Sequence, residues 1–249
     1  MGMINVGIQL YSVREEIEKY GLDTVLGVIR DAGFDSVEFA GFYGLTPTEM
    51  KAKLAEYNLI PLAAHIGIDG IDDSIPYIDE LGIKQVYIPG YPYELLCGEE
   101  YQKFVARVRE KKQNLDRRGV AFGYHNHAHE YQNGDDKVYE LISDIDGFKS
   151  ELDIFWAKGG GHEPCELIQK YGKKLNALHL KDMDVRANPL RPTEYPNAII
   201  GEGQCGCKEA YDEAKKLGVT TFILEVEDYP CPYDEYLKKS CANIKAFED

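Results

Sequence analysis

Two hydrophobic periods take turns along this chain. Short, nearly continuous apolar runs occupy 4–11, 36–39, 60–66, 85–88, 120–126, 151–155, 175–180 and 219–226. Runs of that length without a polar face predict strands buried on both sides, as in a parallel sheet. Between them lie apolar stripes at helical spacing, such as Leu22/Val25/Leu26/Ile29, Tyr101/Phe104/Val105/Val108 and Leu237/Cys241/Ile244. Thr46-Pro47-Thr48-Glu49 predicts a capping box with proline at the first helical position, and Asn58 a left-handed residue after that helix. Gly33, Gly82, Gly119, Gly172 and Gly218 each fall between a predicted helix and the next strand, where a positive φ is needed.

Eight strands, each followed by a helix, close most simply as an α/β fold, a (β/α)₈ TIM barrel. A doubly wound open sheet is the alternative, but the first strand–helix turn has no glycine-rich phosphate fingerprint. The 249 residues suit one such barrel domain over 1–249. The one long irregular connection is 181–204, between the seventh strand and its helix, and loops of that length commonly serve as lids or binding loops.

Composition narrows the partners. The formal net charge of −15 argues against nucleic acid or an anionic membrane, where a basic face is expected. No apolar run is long enough to span a bilayer, and the first residues carry no basic leader, so a cytoplasmic protein acting on a small molecule is expected. The six cysteines are scattered, which fits reduced thiols. Cys205-x-Cys207 is the nearest approach to a metal spacing, and a weak one.

The candidate chemistry sits where the strands end, because the C-terminal strand ends of such a barrel converge on one site. Glu38, His65, His125, Asp153, His179 and Glu225 come from strands two, three, five, six, seven and eight. Strands five to eight thus each offer one metal-binding residue. The mixed N/O set His125, Asp153, His179 and Glu225 suits Mn²⁺, Zn²⁺, Co²⁺ or Fe²⁺ better than Ca²⁺, with Mg²⁺ also a candidate. A lone histidine is more often a structural hydrogen-bonding group, Asp153 alone could be a cap, and Glu225 lies in an acidic stretch, Leu224-Glu225-Val226-Glu227-Asp228. Four strands delivering such residues at one layer, in a place where an unpaired charge is costly, favours the metal. His127 and His129 follow as substrate contacts or loop residues, and Glu130 as an orienting carboxylate or a solvated acid. Lys181 is read as a stabiliser of developing negative charge, against a surface pair with Asp182 or Asp184. Arg186 and Arg191 are candidates to hold an anionic group, against solvated loop charges. Phe155 and Trp156 are placed to wall a sugar face or to pack in the core.

These motifs, in this order, resemble the xylose isomerase-like TIM-barrel superfamily of sugar isomerases and epimerases, whose other branches include inosose dehydratases and endonuclease IV. The resemblance runs through Gln9-Leu10-Tyr11-Ser12-Val13-Arg14, Val37-Glu38-Phe39-Ala40, Ala64-His65, Tyr124-His125-Asn126-His127, Leu152-Asp153-Ile154-Phe155-Trp156, His179-Leu180-Lys181-Asp182-Met183, Gly201-Glu202-Gly203 and Glu225-Val226-Glu227-Asp228. It covers essentially the whole chain and implies a metal held from strands five to eight, with Asp153, His179 and Glu225 matching the family pattern. Typical epimerases of the superfamily carry glutamate at the fifth strand, where this chain has His125. There the two glutamates act as acid and base on opposite faces of the substrate, so the substitution removes one of the pair, with Glu130 the alternative acid if it reaches inward to the substrate.

The expectation is a divalent-metal-dependent isomerase or epimerase of a sugar, sugar phosphate or polyol, working through a metal-stabilised enediolate. Glu225 would take the proton next to the carbonyl, a histidine of the 125–127 cluster would return it, and His65 and Lys181 would bind hydroxyls or steady charge. A keto-sugar or inosose-type dehydratase or hydratase is the alternative, and a non-catalytic sugar-binding barrel the second. The resemblance also implies a possible homodimer.

Overall fold

The computed structural model describes residues 3–186 and 196–248. Eight parallel strands close into a barrel in sequence order: β1 (Asn5–Gln9), β2 (Ser36–Phe39), β3 (Ile60–His65), β4 (Gln85–Ile88), β5 (Ala121–His125), β6 (Lys149–Asp153), β7 (Leu175–Leu180) and β8 (Thr221–Leu224), with β8 pairing back onto β1. Helices follow each strand and pack outside it. The main hydrophobic core lies between the strands and this outer layer. A separate small cluster, Ala63, Tyr87, Ala177 and Ile223, fills the barrel interior. Beneath the site the interior is polar: Tyr87 donates to Gln85, while Asn176 donates to both Gln85 and the Tyr87 hydroxyl. None of the described helices is long and apolar enough to cross a membrane.

The barrel follows the sequence expectation, and the differences have local causes. The first strand stops at Gln9 rather than at residue 11, because the Gln9 side chain accepts the Tyr11 N–H and turns the chain into a short 3-10 helix, Leu10–Val13. A further helix, Arg14–Tyr20, has no buried residue, so it has no apolar stripe to reveal it. The capping box forms as predicted, with Thr46 and Glu49 bonding reciprocally, and Asn58 adopts φ +52°. The sixth strand is displaced two residues toward the N-terminus of its expected place. Asp153 ends it and caps the next helix, Ile154–Gly159, by accepting the Trp156 N–H at 2.8 Å. Phe155 and Trp156 therefore stand on a helix and do not extend the strand. In the 181–204 connection, Asp182–Met183 pairs antiparallel with Asn197–Ala198.

Two glycines, one in the barrel wall and one in the loop after β7, leave no room for a side chain. A Cβ on Gly123 would lie 2.5 Å from the Lys149 carbonyl oxygen, and one on Gly203 would lie 2.4 Å from an Asp182 carboxylate oxygen. The first lets β5 and β6 approach closely below the site. The second belongs to a hub in which Asp182 accepts N–H bonds from Met183, Gly201, Gly203 and Cys205, folding that loop against the end of β7.

Candidate active site

Inward-facing residues alternate along each strand, so the register decides which of them meet. His125 pairs with Glu151 across β5 and β6, Asp153 with His179 across β6 and β7, and Gln9 with Glu38 across β1 and β2. Glu225, just beyond β8, donates its N–H to Leu180 O. The outcome is three imidazoles in one cluster, with ring centroids of His125 at 4.6 Å from both His65 and His179. Above them opens a cavity of about 410 Å³, lined by Tyr11, Ala40, His65, Pro89, His125, His127, Glu225 and Glu227.

The four residues expected to hold a metal come together: ligand atoms of His125, Asp153, His179 and Glu225 lie within 4.8 Å of one another. His179 Nδ1 is 2.5 Å from Glu225 Oε2, and His125 Nε2 is 3.8 Å from the same atom. Asp153 Oδ1 is occupied by the helix cap, while its buried Oδ2 has no partner. Asn126 clamps the two strand ends, donating to Asp153 O at 3.1 Å and accepting the Asp153 N–H at 2.9 Å.

Burial sets much of the electrostatics. Desolvation pushes the Asp153 carboxyl up to about 7, against the nearby charge of Lys181. Burial alone would raise Glu225, but Lys181 and a hydrogen bond from His179 hold it well below the usual carboxylate range. Desolvation, aided by the charge on His179, takes His125 down to about 3 and so keeps it neutral. His179 moves well above its ordinary value, because Glu151 and Glu38 outweigh its desolvation.

The other expected residues divide into those in the cavity and those behind it. His65 and His127 line the cavity, and the buried His127 Nδ1 has no partner. The Trp156 ring lies 5.6 Å from that of His127. Lys181 is fully buried, with Nζ 4.5 Å from the Trp156 ring centroid and 3.1 Å from Glu227 Oε1. Its ion pair is thus with Glu227, and neither Asp182 nor Asp184 serves as a surface partner. Glu38 and Glu130 are fully buried and are not part of the cavity lining. Glu38 Oε2 accepts from Gln9 Nε2 at 2.8 Å and lies 2.7 Å from His179 Nε2. Glu130 accepts the Tyr124 hydroxyl and the His127 N–H, fixing the loop after β5 instead of reaching inward. His129 turns away to Tyr91 O at 2.9 Å. Arg186 is exposed and doubly bonded to Asp184, away from the cavity. Arg191 lies outside the described residues.

Two residues at the centre were not singled out from the sequence. Glu151, fully buried, lies 2.6 Å from His65 Nε2, 3.2 Å from His179 Nε2 and 3.4 Å from His125 Nδ1. Its position two residues before Asp153, on the same strand face, is the signal that identifies it. Glu227, which lines the cavity and pairs with Lys181, is two residues beyond Glu225.

Comparison with known proteins places the fold. The chain is 21% identical over 195 residues to the inosose dehydratase of Geobacillus kaustophilus, an alignment spanning 67% of this chain and 63% of that protein's length. Its fold matches a sugar phosphate isomerase/epimerase from Parabacteroides distasonis with a TM-score of 0.80 at 19% identity, covering 99% of this chain and 95% of the other. It also matches the probable 3-DHS dehydratase of Bacillus anthracis with a TM-score of 0.75 at 12% identity, covering 97% and 99%. The family model described as the xylose isomerase-like TIM barrel matches residues 26–247, and the chain belongs to that family.

Proposed function

We propose that this protein is a divalent-metal-dependent isomerase or epimerase of a sugar, sugar phosphate or polyol, acting by proton removal next to a carbonyl. The observation that carries this reading is the convergence of His125, Asp153, His179 and Glu225 at the base of the cavity. The residues fit a cation on two counts. Asp153 Oδ2 is buried without a partner, a costly state for a carboxylate. Glu38, Glu151, Asp153 and Glu225 are buried together, with Lys181 the only buried ammonium beside them among the described residues. The imidazole and carboxylate donors suit Mn²⁺, Zn²⁺, Co²⁺ or Mg²⁺. When bound, such an ion supplies Lewis-acid polarisation of adjacent substrate oxygens.

The remaining roles fall to the chain. Glu225 lines the cavity and is held ionised by Lys181 and His179, so it is the group that takes the proton. His127, whose ring lines the cavity wall beside neutral His125, returns the proton. Lys181 is a fixed positive charge bearing on Asp153 and Glu225, and it steadies negative charge developing on the substrate. His65 contributes a ring at the cavity wall for a substrate hydroxyl, and Trp156 backs His127.

The same proton removal followed by loss of a β-hydroxyl would make a dehydratase. The likeness to an inosose dehydratase favours that second reading. One experiment separates them: metal-loaded protein is incubated with keto-sugars and keto-inositols in D₂O and the products are weighed. Deuterium next to the carbonyl without loss of water supports the isomerase or epimerase. Loss of water supports the dehydratase. Absence of both across the panel refutes proton abstraction on these substrates.

A further inference from the structure

Glu38 and Glu151 are buried beneath the cavity and take no part in the chemistry above. Their geometry is directional. The His179 ring turns Nδ1 to Glu225, at 2.5 Å, and Nε2 to Glu38 and Glu151, at 2.7 and 3.2 Å. The His125 ring turns Nε2 toward Glu225, at 3.8 Å, and Nδ1 toward Glu151, at 3.4 Å. Each ring therefore shows one nitrogen to the upper group and the other to the same lower carboxylate.

A second ligand-competent group exists at this lower level: His65, His125, Glu151 and His179. It shares both His125 and His179 with the upper group. A neutral imidazole has one lone pair. If it is given to an ion on one side of the ring, the opposite nitrogen carries the proton and donates it. With both imidazoles neutral, the two groups would therefore hold one ion between them.

We infer that Glu151 is a positioning residue: its carboxylate, hydrogen-bonded to His65 and lying 3.4 Å from His125 Nδ1 and 3.2 Å from His179 Nε2, draws the ring protons to those two nitrogens and so favours the tautomer that points the lone pairs at Asp153 and Glu225. Glu38 backs His179 in the same way but does not reach His125, and Gln9 holds Glu38 in place. This inference rests on the metal reading proposed above.

Co²⁺ binding to the chelator-treated full chain tests it, using calorimetry for stoichiometry and affinity and the visible spectrum for the ligand field. The wild type is expected to take one Co²⁺ per chain. Glu151→Gln should also take one, roughly 10- to 100-fold more weakly, with a changed visible spectrum that a purely structural role would not produce. Glu38→Gln should lose less, because it touches one of the two rings, and it carries the test alone if Glu151→Gln fails to fold. Two Co²⁺ in the wild type and one in Glu151→Gln would make Glu151 a ligand of a second ion and overturn the inference. So would wild-type affinity in the folded variants. No Co²⁺ bound by the wild type would instead sink the metal reading itself.

Discussion

Replacing Gly123 with alanine tests how the barrel brings β5 and β6 together beneath the site. The added Cβ would lie 2.5 Å from Lys149 O, 2.9 Å from Lys149 C and 2.9 Å from Tyr87 Cδ1. Two of these three atoms are backbone of the neighbouring strand, directly across in the register, so no rotamer change removes them. Restoring an ordinary carbon–carbon contact from 2.9 Å requires β5 and β6 to separate by about 0.6 Å or more. Overpacking of this kind costs about 1–3 kcal/mol, and the backbone contacts place Gly123→Ala in the upper half, about 2–3 kcal/mol. For a chain of this length each kcal/mol moves Tm by about 2–4 °C, so a fall of roughly 4–12 °C is expected. Thermal unfolding followed by circular dichroism, with urea titration alongside, provides the measurement. The same displacement should separate His125, two residues along β5, from Glu151, and so weaken metal binding. Adding Tyr87→Leu removes the ring contact, together with the hydroxyl's bonds to Gln85 and Asn176, and leaves both backbone contacts in place, so it should restore no stability. A Tm change under about 1 °C, or full recovery with Tyr87→Leu, would refute the argument, because the limiting contact would then not be backbone.

Lys181→Met removes the buried ammonium that bears on Asp153, Glu225 and Glu227, and should destabilise the chelated protein by about 2–3 kcal/mol in urea. This is below the full figure for breaking a buried pair because Glu227 is partly exposed; unchanged stability would deny Lys181 its counter-charge role. Glu38→Gln tests a pH dependence. Desolvation first, then the charge of Glu151, raises the Glu38 carboxyl from 4.5 to about 7, so its stabilising contribution is complete below 4.5 and lost as pH rises through about 7. In chelated protein the variant should therefore gain on the wild type between pH 5 and pH 7.5, and a constant difference across that range would contradict the shift. Thr46→Ala, which breaks the capping box at an exposed helix start, should lower stability by about 1 kcal/mol in the same titration, without changing metal affinity.

The barrel was legible because both of its signals are local: apolar runs buried on two faces, and helical stripes punctuated by glycine. The upper group was legible for a related reason, since each member stands at or just past a strand end, and strand ends of this fold converge. What escaped depended on boundaries and loops. Glu151 looked like the opening residue of a strand expected at 151–155, far from any site. With the strand at Lys149–Asp153, it is an inward residue one step below Asp153. Apolar pattern could not fix that boundary, because Ile154 and Phe155 continue the run while belonging to a helix. Asp153 is the residue that decides it. Its Oδ1 accepts the Trp156 N–H and starts the helix, which leaves Oδ2 free beside Glu225 and His179. The side chain that ends the strand is thus the one aimed into the ligand group, and its ambiguity in the sequence, as cap or as ligand, reflects two oxygens suited to different tasks. Lys181 shows the opposite limit. Its neighbours Asp182 and Asp184 suggested a surface pair, but Asp182 is taken by four backbone N–H groups and Asp184 by Arg186. The ammonium is left to Glu227 on the next strand's loop, a partner that only the closed barrel brings within 3.1 Å.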